Sequence, residues 1–309
     1  RNYSLTARYS GGANAGHTVY VDDKVVKLHQ LPSSLPYKEL GYIGPGALID
    51  FNKLEEEASD FRKNMGFCPY SFLRISPMAV QVLPKHLKAD QAYHHAIQGS
   101  TSSGVAPAYA DFYNRTAVLA NSYTWPDKNG VECISDVSNV CKLLLEGAQG
   151  FYLNPYQGNY PYTTSSSSHP AQAASNFGFS PRKFRNIIGV AKCYETRSGY
   201  DPNFHKVLNG KNLYVTPSTS QMHNQVYNDL VRVGNEYGVT TGRQRHIRFL
   251  DLNRLIKSIR RTGTNILVLQ KWDVLDQVGI DSKSYYLHGN LYTSRKNMRE
   301  EVRHIIMEN

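Results

Sequence analysis

Residues 3–21 read YSLTARYSGGANAGHTVYV, and the fold turns on the segment after the glycines. Gly11, Gly16 and Thr18 stand at the spacing of a phosphate loop, G-x-x-x-x-G-K-[ST], with His17 in the place of the lysine. Such a loop opens a helix. Here Tyr3–Tyr9 reads as a strand, and the loop runs into VYVDDKVVKLH, whose alternation around Asp22 and Asp23 reads as a β-hairpin. Strand, glycine loop and hairpin are the wrong context for a phosphate loop. The spacing match is accidental, and His17 needs another explanation.

Downstream, periodicity predicts helices over Leu54–Met65, Leu83–Ile97, Ser135–Leu145, Met222–Val233 and Leu250–Arg261, and a C-terminal helix over Thr293–Ile306. The acidic residues near Leu54 suit the first turn of the first helix. ILVL, Ile266–Leu269, is short, apolar and β-branched, as a buried strand of a parallel sheet would be. Strands alternating with helices argue an α/β fold, a central mostly parallel sheet flanked by helices. No repeat and no linker is visible, so one domain over 1–309 is expected. TTSSSS, Thr163–Ser168, is too short to divide the chain.

The 309 residues carry a net charge of +10 and are 40% hydrophobic, enough for a sizeable core. No apolar run approaches the ~20 residues that span a bilayer. The cysteines, Cys68, Cys133, Cys141 and Cys193, form no C-x-x-C and no zinc spacing. Buried free thiols in a reduced, cytoplasmic setting are expected. The positive charge implies an anionic partner. Nucleic-acid binders concentrate charge in one stripe. Here it is spread, with patches at Arg243–Arg248, Lys257–Arg261 and Arg295–Arg303. That favours a small anionic substrate over a nucleic acid.

Four further stretches carry chemistry. GSTSSG, Gly99–Gly104, and TTSSSS offer backbone N–H groups and hydroxyls that can cup a phosphate. TTGRQR, Thr240–Arg245, places Arg243 and Arg245 two apart, on one side of an extended chain, able to grip a carboxylate. Lys271 and Asp273 form a K-x-D after the ILVL strand, resembling the guanine-reading motif of GTPases. Gln149 lies in EGAQG. Singly, each has an ordinary reading as a loop or a solvated turn.

Together they have an order. NAGHT, GST-x-x-G-x-x-PAY, EGAQG, YPY-x-TSS, TTGR-x-R and K-x-DVLD, from about Gly11 to Asp276, resemble the signature of the adenylosuccinate synthetase family. The resemblance implies a homodimeric ligase that joins L-aspartate to a 6-oxopurine nucleotide through a 6-phosphoryl intermediate, with Mg²⁺. It implies that His17 and Gln149 act at the purine O6. Asn14, Thr101, Arg115 (from a neighbouring subunit), Gln149, Thr164 and Ser198 would bind the purine nucleotide. Thr240, Thr241, Arg243 and Arg245 would bind aspartate. Gly16, His17, Lys271 and Asp273 would serve the nucleoside triphosphate, with the Gly16 carbonyl on Mg²⁺.

The departures from the family pattern are informative. The family opens with a strand and a loop close to G-D-E-G-K-G-K, which holds the catalytic base. That loop is not in these residues and is expected to precede Arg1; an S-T-G-P guanine loop is not seen before Asn309. Ser100, Ala106 and Ser198 replace usual family residues, and the usual GWFD is IRFLD. ISPMAVQVL and the G-S-T form resemble the phage-encoded branch, which joins aspartate to dGMP and gives N6-succino-2-amino-2′-deoxyadenylate. Some members of that branch use ATP or dATP and lack the K-x-D, which is kept here. The expected acceptor is therefore dGMP, with IMP as the alternative, and the donor is GTP or ATP/dATP. The distant alternative is a nucleic-acid-binding protein.

Overall fold

The structure is a computed structural model that describes residues 3–95, 99–122, 124–202, 204, 207–208, 211–212, 221–239, 242–279, 284–287, 290–293, 300, 303–304 and 306–307. The chain forms two compact units, Arg1–Lys183 and Phe184–Asn309.

The first unit is built on a parallel sheet of five strands. β1 (Leu5–Arg8), β2 and β3 (His17–Val21 and Lys24–Leu28), β4 (Gly41–Ile43), β5 (Leu73–Ile75), β6 (Glu132–Cys133) and β7 (Leu143–Glu146) follow in chain order. Leaving out the β2–β3 hairpin, the strand order is β6-β5-β4-β1-β7, with every pairing parallel. β1 lies inside the sheet, between β4 and β7, and is buried along its whole length. β2 and β3 turn at Asp22, whose φ of 51° is the left-handed conformation a tight hairpin needs. Val19, Val26 and Leu28 face the core, while Tyr20 and Val25 face out.

Helix α1 (Phe51–Met65) covers that core. Asp50 caps it, accepting from Asn52 N at 3.1 Å and Lys53 N at 3.2 Å, and Gly66 ends it at φ 82°. Capping by Asp50 starts the helix one turn before the predicted Leu54, so the glutamates lie beyond the first turn. Phe51, Leu54, Ala58, Phe61 and Met65 recur at helical spacing and are buried. Burying each large side chain contributes roughly 1.5–3 kcal/mol.

Two helix expectations fail, one in part and one outright. α2 (Pro84–Ala89) begins as expected but passes into a wider π-type turn over Asp90–His95; residues 96–98 lie outside the described ones. Ser135–Leu145 is not a helix. The Asp136 carboxylate accepts from Ser138 N and Oγ, which turns the chain, and Leu143–Glu146 is drawn into the sheet as β7 beside β1. α3 (Val105–Tyr113) and α4 (Pro170–Phe177) are further helices of this unit.

In the second unit β8 (Ile188–Lys192) pairs in parallel with β11 (Ile266–Gln270), the ILVL strand. β9 (Tyr194–Arg197) runs antiparallel to β10 (His246–Asp251). β12 (Ser284–Leu287) is parallel to β10, and β13 (Asn290–Thr293) antiparallel to β12. ILVL is less enclosed than expected, because Ile266 and Val268 are exposed. The predicted helices appear as α5 (Gln221–Gly234) and α6 (Leu252–Thr262), the latter capped by Asp251. α7 (Trp272–Val278) follows β11. The C-terminal helix expected from Thr293 falls mostly outside the described residues, and Thr293 itself ends a strand.

The thiols are free, but only Cys193 is buried; Cys133 and Cys141 are exposed, against the expectation of burial. Cys133 lies on the edge strand β6 and Cys141 in the turn before β7, where nothing covers them. Among the described residues, no helix is long and apolar enough to cross a membrane.

Candidate active site

Two charged groups end adjacent strands. β1 ends in Arg8 and β7 in Glu146, and the parallel register sets them side by side. Arg8 is 3% exposed, and its NH1 donates to Glu146 Oε1 at 3.0 Å. The other carboxylate oxygen accepts from Ser33 N at 3.1 Å and Ser33 Oγ at 2.9 Å. Burial raises Glu146, but Arg8 and the Ser33 bonds outweigh it and hold the carboxyl below its usual range.

His17 opens β2 against this pair. Its Nδ1 lies 3.3 Å from Arg8 NH1. A guanidinium can only donate, so Nδ1 accepts and the ring proton belongs on Nε2. Nε2 is buried without a hydrogen-bond partner, its approach to Glu146 Oε1 being 3.6 Å. Burial first, with Arg8 and His29 adding, lowers His17 to about 4 against the opposing pull of Glu146. At neutral pH it is therefore a neutral imidazole with an unused N–H.

The glycine loop meets EGAQG. Gly11 has φ 75°, and a Cβ on it would stand 3.0 Å from Ala148 Cβ and 3.4 Å from Gln149 Oε1, so the two loops touch there only because residue 11 is glycine. Asn14 Oδ1 accepts from Gly12 N at 3.0 Å. Gln149 is itself left-handed, at φ 61°. Its Oε1 accepts from Ser166 Oγ at 3.1 Å, and Ser166 Oγ is 3.1 Å from Thr164 Oγ1. Asn14, Gly16, His17, Gln149 and Thr164 thus fall on neighbouring loops. Thr101 bonds to Ser103 Oγ at 3.0 Å, in a loop anchored by the buried Asp90, which accepts from Ser100 Oγ and Gly104 N. Arg115 is exposed at φ 63°, just past α3.

The second unit holds the remaining residues. Ser198 is half-buried after β9. Thr240 and Thr241 lie outside the described residues. Arg243 is half-buried, and Arg245 NH1 donates to Glu236 Oε2 at 2.7 Å. Lys192 Nζ reaches the same carboxylate at 2.7 and 2.8 Å, and Tyr194 Oη donates to it at 2.7 Å. Burial pushes Lys192 down to about 8 despite Glu236. Lys271, at φ 69°, donates from Nζ to the Gly234 carbonyl at 3.0 Å, and Asp273 is exposed in the first turn of α7.

Sequence reasoning assigned no role to Arg8, Glu146, Ser33, Lys192 or Glu236. The signal for the first two was a charged residue ending an apolar strand, LTAR and LLLE, beside a glycine-rich loop.

Loops gathered at the carboxyl ends of a parallel sheet, with one glycine-led turn and a neutral imidazole beside an ionised carboxylate, define a nucleotide-handling α/β protein. Comparison with known proteins takes this further. The family model described as Adenylosuccinate synthetase matches residues 1–133 and 128–302. The adenylosuccinate synthetase of Thermosipho africanus is 32% identical over 319 residues, covering 89% of this chain and 75% of that protein. That of Chlorobium limicola is 31% identical over 326 residues, covering 89% and 71%. Among solved structures, fully ligated adenylosuccinate synthetase from Plasmodium falciparum superposes with a TM-score of 0.74 at 25% identity, over 89% of this chain and 72% of that one. Cyanophage S-2L succinoaminodeoxyadenylate synthetase (PurZ), bound to dGMP and dATP as an energy donor, gives 0.67 at 20% identity, over 99% and 91%. At that identity the likeness is one of fold. The chain belongs to the adenylosuccinate synthetase family, and is a ligase of the kind that forms a carbon–nitrogen bond.

Proposed function

We propose that this ligase joins L-aspartate to dGMP at the expense of a nucleoside triphosphate. The observation that carries the ligase chemistry is His17, a neutral imidazole whose buried Nε2 has no partner, at the end of a glycine loop that carries Asn14 and meets Gln149 at Gly11. The N1 proton of the purine leaves to a base, a bond forms between O6 and the γ-phosphorus, and the bond to the diphosphate breaks. The aspartate amine then attacks C6, and the C6–O6 bond breaks to release phosphate. Phosphorylation makes a poor leaving group a good one. His17 donates from Nε2 to the phosphoryl or to O6, where charge builds. Gln149 and Asn14 hold the purine, Thr101, Thr164 and Ser198 the nucleotide, and Arg115 reaches the 5′-phosphate of a partner subunit in a homodimer. Thr240, Thr241, Arg243 and Arg245 bind aspartate. Lys271 and Asp273 bind the base of the triphosphate, Lys271 after leaving the Gly234 carbonyl.

Mg²⁺ fits this set only with help. Gly16 is exposed, so its carbonyl can be reached, but no group of three or more His, Cys, Asp or Glu gathers among the described residues. Its other ligands would be phosphate oxygens and water, as is usual for this ion, which neutralises phosphate charge when bound.

The dGMP reading rests on the G-S-T and ISPMAVQVL stretches and on Ser198. The retained Lys271 and Asp273 favour the second reading, IMP with GTP. Offering the full-length protein IMP and dGMP in parallel, with aspartate, Mg²⁺ and GTP or ATP, separates them. Turnover of dGMP is expected; turnover of IMP alone overturns the acceptor, and turnover of neither overturns the ligase reaction. His17→Ala is expected to lower kcat by roughly 10²–10³, as loss of a transition-state donor does, and to change KM little.

A further inference from the structure

Glu236 is 0% exposed and follows the end of α5. Its backbone carbonyl accepts from Arg245 N at 2.9 Å, while its carboxylate accepts from the Arg245 guanidinium. One residue therefore closes the base of the 236–245 loop twice, through main chain and side chain. The stem continues with Gly238 N donating to Arg243 O at 2.8 Å, and the loop narrows with Gly242 N donating to Gly238 O at 2.7 Å. Tyr227 Oη holds the Arg245 carbonyl from the other side at 3.3 Å.

The carboxylate is fixed in its turn. Lys192 Nζ bonds both of its oxygens and Thr196 Oγ1, so the donors of the ammonium are used within the protein. Tyr194 Oη takes a further lone pair. The guanidinium differs. Of its five N–H donors, Glu236 engages one on NH1, and the side chain keeps about a quarter of its surface open. Glu236 is shared between two cations, Lys192 and Arg245, so its single negative charge is divided between them. A half-buried guanidinium, held at one end by a carboxylate that Lys192 shares, is ready for an anionic oxygen group at the other.

We propose that Glu236 is a positioning residue that sets the guanidinium of Arg245 for an anionic oxygen group of a substrate, the carboxylate of aspartate or a phosphate of the triphosphate. This rests on the reading of Arg245 as a substrate ligand, and it assigns no substrate contact to Glu236 itself. Lys192 and Tyr194 serve by keeping the carboxylate ionised and in one rotamer. A guanidinium free to move would lose the entropy of being ordered at each binding event.

A double-mutant cycle tests it. Arg245→Ala, Glu236→Gln and the double variant are assayed for kcat and for KM of aspartate, acceptor and triphosphate, with melting temperatures measured alongside. Glu236→Gln is expected to raise one KM about tenfold, the same KM that Arg245→Ala raises, with kcat changed less than about threefold. In the Arg245→Ala background it is expected to add less than about twofold. A rise in the aspartate KM identifies the carboxylate, and a rise in the triphosphate KM the phosphate. If Arg245→Ala raises no KM, the reading of Arg245 fails and the proposal with it. If Arg245→Ala raises a KM that Glu236→Gln leaves alone, or if the two effects add in full, Glu236 is structural and only the proposal fails. Should Glu236→Gln not fold, Glu236→Asp, which keeps the charge but draws it back by one methylene, is expected to raise the same KM.

Discussion

Replacing Glu57 tests how the loop beneath His17 is held. Glu57 projects from α1, is 8% exposed, and accepts three backbone bonds: His29 N at 2.7 Å, Gln30 N at 2.9 Å and Leu31 N at 3.1 Å. Two residues on, Ser33 bonds Glu146, so the same short segment is fixed by α1 at one end and by the Glu146 carboxylate at the other. Glu57→Ala orphans all three donors. An unsatisfied buried donor costs about 1–3 kcal/mol. The Gln30 and Leu31 bonds are buried and the His29 bond only partly so, which sets a gross cost of about 2–6 kcal/mol. Removing a buried carboxylate offsets part of this, leaving about 2–4 kcal/mol. At about 2–4 °C per kcal/mol for domains of this size, the transition falls by roughly 5–15 °C. Glu57→Gln keeps one oxygen but turns an N–H toward one of the donors, and is expected to cost about 1–2 kcal/mol. The assay is urea unfolding followed by Trp125, which stacks on Phe51 at 4.9 Å in the same core, in a Trp272→Phe background so that only this unit reports. A loss under 1 kcal/mol for the alanine variant, or glutamine costing as much as alanine, refutes the reasoning.

Gly44→Ala should cost about 1–3 kcal/mol by overpacking, since its Cβ would stand 2.5 Å from Phe177 Cζ and 2.8 Å from the Arg8 carbonyl; a melting temperature equal to the parent's counts against this. Arg248, 2% exposed, bonds Glu195 and lies 4.4 Å from the Phe204 ring centre, so Arg248→Met should cost about 3–5 kcal/mol in chemical denaturation, and a neutral result rejects the ion pair as a support. Burial pushes Glu236 up, but Lys192 and the bonds from Lys192, Tyr194 and Arg245 hold it below its ordinary 4.5. Its contribution is therefore present above 4.5 and lost as pH falls through the lower folded value, so Glu236→Gln should flatten the acid limb of the stability profile; an unchanged limb rejects that assignment.

How much of the molecule was legible in the sequence depends on how locally each feature is determined. α1, α5 and α6 carry their own periodicity, and α1 and α6 also carry capping aspartates and a closing glycine, so neighbours within four residues decide them. The hairpin likewise needed only its alternation and Asp22. Ser135–Leu145 misled because Val137, Val140 and Leu144 imitate a helical stripe. The winning term was pairing with β1, more than a hundred residues away in the chain, which no window of the sequence contains. The site divides in the same way. His17, Asn14 and Gln149 sit in ordered motifs that the sequence alone displays. Arg8 and Glu146 acquire meaning only when the sheet brings them together, and Glu236 only when its loop folds back on Arg245.

The pairing of β1 with β7 also orders events in time. Arg8 and Glu146 are 138 residues apart, and ribosomes add about 5–20 residues per second, so the carboxylate follows the guanidinium by roughly 10–30 s. During that interval β4 can join one edge of β1, but the other edge stays open, and Arg8 lacks the carboxylate it hydrogen-bonds in the folded unit. A bare strand edge of this kind is a template for wrong pairing until β7 covers it. Synthesis of β7 through Glu146 supplies the missing strand and the missing anion together, so both exposures of β1 end at one point in the chain.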